Sequence, residues 1–244
     1  MLILKKMQAK PEMFKKRRMT ETTEQTTNTT STRADGVAIV YYTDPLCCWS
    51  RAMEPQWQLL KQTFSDQLSI RYCMGGLIAD WNSYHDTINS VSRPVQMGPL
   101  WMEVHHRTGV TLNDKIWMTD PPASSYPACI AVKCAGLQGK HYEEEMLNLL
   151  RKTVMEEGKN IAKNAVLLAA AKNMTTPFDR EKFAEDLMGE KGMEAFRKDL
   201  EEIKQVQVSR FPTVVVSANG KAIMITGYRK FEVLKEGIEK MLLG

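Results

Sequence analysis

The 244-residue sequence lacks any apolar run approaching the ~18 residues of a membrane-spanning helix, and Met1–Leu4 is too short for the core of a signal peptide. A cytoplasmic protein that inserts in no membrane is expected. Cysteines are few and odd in number, five in all, with no framework spacing, which argues against a disulfide-stapled secreted domain. Histidines are scarce as well. His105 and His106 are neighbours that point in different directions on a helix, with no cysteine or carboxylate at ligand spacing, so no metal site is expected. There is no Gly-rich phosphate loop, no G-x-S-x-G, and no carboxylate pair that stands out from solvated helix faces. The net charge of +4 owes much to seven Lys and Arg residues among the first eighteen positions, which leaves the rest near neutral and gives no sign of a nucleic-acid partner.

What is present is a hydrophobic content of 43%, enough for a real core in one large domain or two small ones. Residues 1–36 read as a disordered tail, basic first and then a Thr/Glu/Gln tract with little to bury. The chain is organised around Tyr41–Trp57 (YYTDPLCCWSRAMEPQW). The β-branched run Val37–Val40 reads as a buried strand, continuing to Thr43 and broken at Asp44-Pro45. A helical pattern then runs from the Cys47–Ser50 tetrad to about Phe64, with Pro55 inside it as a kink. Cys47 therefore stands where a strand hands over to a helix, facing free N–H groups and the positive end of the helix dipole. A thiolate is stabilised there, in the range of roughly 3.5–7.5 seen for reactive cysteines. Arg51, four residues on, is placed to add positive charge, and the Ser50 hydroxyl, one turn from Cys47, to donate a hydrogen bond. Cys48 cannot easily bond to Cys47, because adjacent Cα atoms lie about 3.80 Å apart, short of the usual disulfide span of about 4.4–6.8 Å. It either touches the substrate from inside the tetrad or acts as a resolving thiol.

Leu68–Met74 alternates as a second strand and ends at Gly75-Gly76. From residue 80 to about 207 the pattern turns helical, at Tyr126–Cys134, Glu143–Glu156, Ile161–Lys172, Asp179–Leu187 and Met193–Val206. Cys73, Cys129 and Cys134 read as small buried hydrophobes. Phe211–Ser217 and Ala222–Thr226 form a hairpin about Asn219-Gly220, and Phe231–Leu243 closes the chain as an amphipathic helix.

The strand, the turn, the cysteine tetrad opening a helix and Pro55 eight residues past Cys47 resemble the thioredoxin superfamily. DPLC (Asp44–Cys47), EPQW (Glu54–Trp57), RYCMGGL (Arg71–Leu77), DPPASSYPACIAVK (Asp120–Lys133) and RFPT (Arg210–Thr213) are similar to its DsbA branch, in particular to cytosolic FrnE- and YjbH-like members. The resemblance spans Val37 to about Leu243. It implies an α/β fold, a thioredoxin-like core with an inserted α-helical domain: core residues 37–79, insert 80–207, core residues 208–244. It makes Pro212 the cis-proline facing Cys47, with Phe211 and Trp49 beside the substrate. In that group the tetrad is usually C-x-x-C. Here Ser50 holds the last position, and serine cannot displace sulfur from a mixed disulfide.

The expected function is therefore monothiol thiol–disulfide chemistry at Cys47, with Ser50 and Cys48 completing the site. Protein thiols and disulfides would be the substrates, with no bound cofactor and glutathione as a possible co-substrate. The resemblance also implies two alternatives. One is a YjbH-like adaptor that presents a regulatory protein to a protease. The other is a glutathione transferase or isomerase similar to the kappa class, which usually carries serine in place of the first cysteine.

Overall fold

A computed structural model describes residues 36–243. The tail expected over 1–36 lies, but for Gly36, outside the described residues. Four strands form one sheet in the order β2-β1-β3-β4: β1 Val37–Thr43, β2 Leu68–Met74, β3 Thr213–Ala218 and β4 Lys221–Thr226. β1 runs parallel to β2 and antiparallel to β3, and β3 runs antiparallel to β4. The parallel pair is joined by α1 (Cys48–Phe64), which Pro55 does not interrupt. The hairpin turns at Asn219-Gly220, both at positive φ, as an Asn-Gly turn requires. Helix α9 (Phe231–Leu242) then packs on β1, β3, β4 and α1.

Between β2 and β3 every regular element of more than three residues is a helix. These are α2 (Met97–Thr108), α3 (Ile116–Thr119), α4 (Tyr126–Gly136), α5 (Lys140–Met155), α6 (Asn164–Ala171), α7 (Arg180–Met188) and α8 (Lys191–Val206). This is the thioredoxin core with a helical insertion that the resemblance implies. Helices α2 and α3 are not among the expected helical segments, although Met97, Leu100, Trp101 and Val104 recur at helical spacing along α2, and Pro99 lies in its first turn. A proline that early removes no intrahelical hydrogen bond, so the helix starts across it. The pattern at Ile161 begins too soon. The Asn160 side chain accepts from the Ala162 N–H at 2.9 Å, an Asx turn that holds residues 160–163 out of α6.

Alternation along β1 sorts its side chains between two cores. Val37, Ile39 and Tyr41 enter the main core with Trp57 and Leu60 of α1 and Ile238 of α9. Tyr42 points to the other face with Cys73 and Val208, beneath Ile203 and Val206 of α8. Helices α4, α5 and α8 also pack on β2, so the helical block is seated directly on the sheet edge.

The Gly75-Gly76 pair after β2 is required by what packs on it. A Cβ at Gly75 would run into the Phe211 ring, and Gly76 sits at φ +60° between Tyr126, Phe196 and Leu200. Gly75→Ala is therefore expected to push the Phe211 ring out of place at a cost of about 1–3 kcal/mol, an overpacking penalty. Thermal melting checks it: at about 2–4 °C per kcal/mol for a chain of this size, an unchanged Tm would show that the ring simply moves aside.

Candidate functional site

Cys47 is the N-cap of α1, with φ −77° and ψ 104°, as strand and helix patterning required. Its N–H donates to the Asp44 carbonyl at 3.1 Å, and its own carbonyl accepts from the Arg51 N–H at 3.1 Å, which closes the first turn of the helix. Ser50, at the third helical position, brings its N–H and hydroxyl near the sulfur without closing a hydrogen bond. Cys47 is only 5% exposed. Burial pushes its thiol up, and the nearby Asp44 charge adds to this. The Ser50 hydroxyl and N–H and the Arg151 charge act in the opposite direction. The helix-start argument alone anticipates a lowered value, whereas desolvation outweighs it in the folded chain.

The cation near the sulfur is not the one the sequence nominates. Arg51 turns to Glu54 and Glu156, both at 2.5 Å. Instead Arg151, from α5, lies buried at 2% exposure with its Nη2 donating to the Thr43 hydroxyl. Among the described residues no carboxylate pairs with it, and its Nε–H has no partner. The Tyr41 and Ser50 hydroxyls, both buried, are likewise unpartnered. Three unspent donors thus surround the end of β1 beneath Cys47. A sequence reading has no way to find Arg151, since a lone Arg in a helix of mixed charge looks like surface.

Asp44 anchors the loop before the nucleophile position. Fully buried, its carboxylate accepts from the Leu46 N–H at 2.8 Å, the Leu77 N–H at 2.7 Å, the Ser125 hydroxyl at 3.0 Å and the Cys129 thiol at 3.3 Å. Burial raises its pKa, and these four donors oppose that shift. In the sequence Asp44 reads only as a strand breaker, without this role. The Asp-x-x-Cys spacing on the loop was the available signal.

A groove of about 750 Å³ opens onto the site and is lined by Cys47, Cys48, Trp49, Phe211 and Tyr228, among others. Trp49 packs on Tyr228 at 6.0 Å between ring centres and carries the Arg107 guanidinium 4.9 Å above its ring. The Phe211–Pro212 bond is cis, and Ser209, Arg210 and Phe211 before it line the groove. Ser50 does not line the groove. It is fully buried behind Cys47, where a second cysteine would stand in a C-x-x-C site.

All five cysteines are free. Cys48 is buried, and desolvation raises its thiol well above the ordinary value, with the Cys47 charge adding to it. Cys73 donates to the Asp199 carbonyl at 3.6 Å, and Cys134 packs against Gly192 of α8 with its thiol pushed up to about 12 by burial. Burial raises the thiols of Cys73 and Cys129 as well. Between the ordinary thiol value of about 8.5 and these higher folded values, the unfolded chain loses protons that the folded chain retains, so stability falls as pH rises. Melting at pH 7.5 and pH 10 should show a clear drop in Tm that shrinks when Cys129 and Cys134 are both replaced by Ala. The same drop in that variant would assign it to other groups.

Among the described residues no cluster of three His, Cys, Asp or Glu side chains is arranged to hold a metal ion. None of their helices is long and apolar enough to cross a membrane.

With this geometry in view, the chain can be compared with known proteins. A thioredoxin family model matches residues 41–236. Among curated proteins, a ClpXP adapter protein SpxH from Halalkalibacterium halodurans is 26% identical over 209 residues, covering 84% of this chain and 67% of the relative. Among solved structures, a candidate protein disulfide isomerase from Nitrosomonas europaea aligns with a TM-score of 0.72 at 20% identity, over 85% of this chain and 98% of that one. The cytosolic disulfide reductase DsbM from Pseudomonas aeruginosa aligns with a TM-score of 0.61 at 19% identity, over 84% and 95% of the two chains. At these identities the structural matches speak to the fold.

Proposed function

Because this chain belongs to the thioredoxin family, we propose that it is a DsbA-like thiol–disulfide protein working through a single thiol, Cys47, in the cytoplasm. The observation that carries this reading is the placement of Cys47 at the start of α1, on the wall of a groove that it shares with Trp49 and with Ser209, Arg210 and Phe211. The Cys47 thiolate attacks one sulfur of a partner disulfide, forms a mixed disulfide and releases the other partner sulfur as a thiolate. No second cysteine stands at position 50 to reverse this from within. Release requires an external thiolate such as that of glutathione, which attacks the mixed disulfide, leaves with the partner sulfur and restores Cys47. Isomerisation, glutathione-coupled reduction and deglutathionylation are all within reach of one thiol. Trp49 and Phe211 form the wall against which the partner lies, whereas Pro212, expected beside the substrate, is buried behind Phe211 and does not line the groove.

The test is direct. With oxidised glutathione the wild-type protein should accumulate a stable single-glutathione adduct on Cys47, visible by intact mass and peptide mapping. Ser50→Cys should lose that adduct quickly to an internal disulfide. A Cys47–Cys48 disulfide in the wild type would instead make Cys48 the resolving thiol.

A second reading is favoured by a specific observation: curated relatives that match over most of this chain are named as ClpXP adapter proteins. A buried sulfur with a raised pKa and no resolving partner also suits a groove that holds a regulatory protein rather than turning it over. Under that reading Cys47→Ser would keep partner binding while abolishing the adduct.

A further inference from the structure

The groove bears charge that the thiol chemistry does not use. Arg210, two residues before Pro212, and Arg229, just after β4, converge on Gly227. A Cβ placed there would lie 3.6 Å from the Arg229 Nη1 and 4.0 Å from the Arg210 Cδ. Gly227 is itself fixed to the Pro212 loop, its N–H donating to the Pro212 carbonyl at 2.7 Å. The two arginine side chains therefore pass the same glycine, in the groove that Cys47 also lines. Arg229 spends one N–H on the Tyr228 carbonyl at 2.8 Å, and among the described residues neither arginine has a carboxylate partner. A third cation lining the groove, Arg107, stacks over Trp49 and, among the described residues, pairs with exposed Glu103 at 3.1 Å. The carboxylate that lines the groove, Asp86, is already taken by the N–H groups of Ile88 and Asn89 and by the Asn89 side chain.

We propose that Arg210 and Arg229, with Arg107 in the same groove, form a carboxylate-recognition site, so that the disulfide or thiol taken up at Cys47 is one that carries carboxylates on either side of its sulfur. Guanidinium groups bind carboxylates through paired N–H donors, and a ligand that supplies them relieves the repulsion between two adjacent cations. This chemistry is found in glutathione and equally in a cysteine flanked by Asp or Glu in a protein. The inference rests on the reading of Cys47 as the reacting sulfur and adds to it the charge of the substrate.

The experiment compares the rate of single-adduct formation on Cys47 with oxidised glutathione, which is anionic, and with cystamine, which is cationic. It is run at low and high salt, in the wild type and in an Arg210→Gln/Arg229→Gln double variant whose fold is verified by circular dichroism. Electrostatic selection of this kind is worth about tenfold or more in rate. The glutathione-to-cystamine rate ratio should therefore fall about tenfold in the double variant, and should fall with added salt in the wild type. A ratio that is the same in both proteins and at both salt concentrations overturns the proposal. Disulfide dimers of Asp-Cys-Asp and Lys-Cys-Lys peptides separate the two sources. An acidic peptide that outpaces glutathione points to a protein substrate, whereas an effect confined to glutathione points to the small thiol. If neither reagent reacts with the wild type, it is the exchange reading that fails. The anion site is then read by calorimetry with S-methylglutathione, and no binding there overturns it.

Discussion

Asp44→Ala is expected to lower the melting temperature by about 10 °C or more. The substitution removes the acceptor shared by two backbone N–H groups, a hydroxyl and a thiol, all buried. The Ser125 hydroxyl can fall back on the Ile78 carbonyl, which it already approaches at 3.4 Å. The Leu46 and Leu77 N–H groups have no such alternative. Leaving both unsatisfied costs about 1–3 kcal/mol each, before the cavity is counted, out of a total stability of about 5–15 kcal/mol. These contacts also tie the loop before Cys47 to the end of β2 and the start of α4, so the loss spreads across the junction between sheet and helical block. Asp44→Asn keeps one acceptor oxygen and should cost only about 1–3 kcal/mol. Because the Asp44 charge is one of the influences that raise the Cys47 thiol, the Asn variant should also alkylate faster at Cys47 at a given pH. Chemical denaturation of the two variants measures the first effect, and pH-dependent alkylation with peptide mapping the second. A melting temperature for Asp44→Ala within a few degrees of the wild type would show that the loop finds other acceptors.

Arg151→Met is expected to separate stability from reactivity. A guanidinium buried without a carboxylate is a cost to the fold, and replacing a buried charge with an apolar side chain of similar length is often neutral or stabilising by about 1–4 kcal/mol. The Thr43 hydroxyl loses one donor, a loss of about 1 kcal/mol that offsets part of this. Tm should therefore stay level or rise. Reactivity moves the other way, because the Arg151 charge opposes the desolvation that raises the Cys47 thiol. Without it the alkylation profile of Cys47 shifts to higher pH, and the rate near pH 8 drops severalfold. Arg151→Lys keeps a positive charge and should recover much of the rate. If both variants melt early and alkylate like the wild type, Arg151 holds the fold together and has no bearing on the sulfur.

The one-dimensional features of this protein were legible in its residues. The bounds of β1 follow from a β-branched run closed by Asp44-Pro45, and those of β2 from an alternating run closed by Gly75-Gly76. The Asn219-Gly220 turn and the amphipathic pattern after Phe231 mark the last hairpin and helix, because turn chemistry and hydrophobic period are local properties. Cys47 is placed at the helix start by the same kind of local logic. Ser50 in place of a second cysteine, which decides whether a mixed disulfide can resolve itself, is a fact of sequence alone.

What only the tertiary structure decided are the quantities that depend on neighbours distant in the chain. The pKa direction at Cys47 reverses because burial by the surrounding elements outweighs the local helix start. The cation that matters comes from α5, over a hundred positions beyond β1, rather than from Arg51 one turn away. Asp44 turns from a strand breaker into a buried acceptor because Leu77, Ser125 and Cys129 converge on it. Arg210 and Arg229 meet at Gly227 only because β3 and β4 pair antiparallel and bring the two ends of the hairpin together. Periodicity and turn propensity act over a few residues, whereas desolvation and charge act through space, and it is the latter that set the chemistry of this groove.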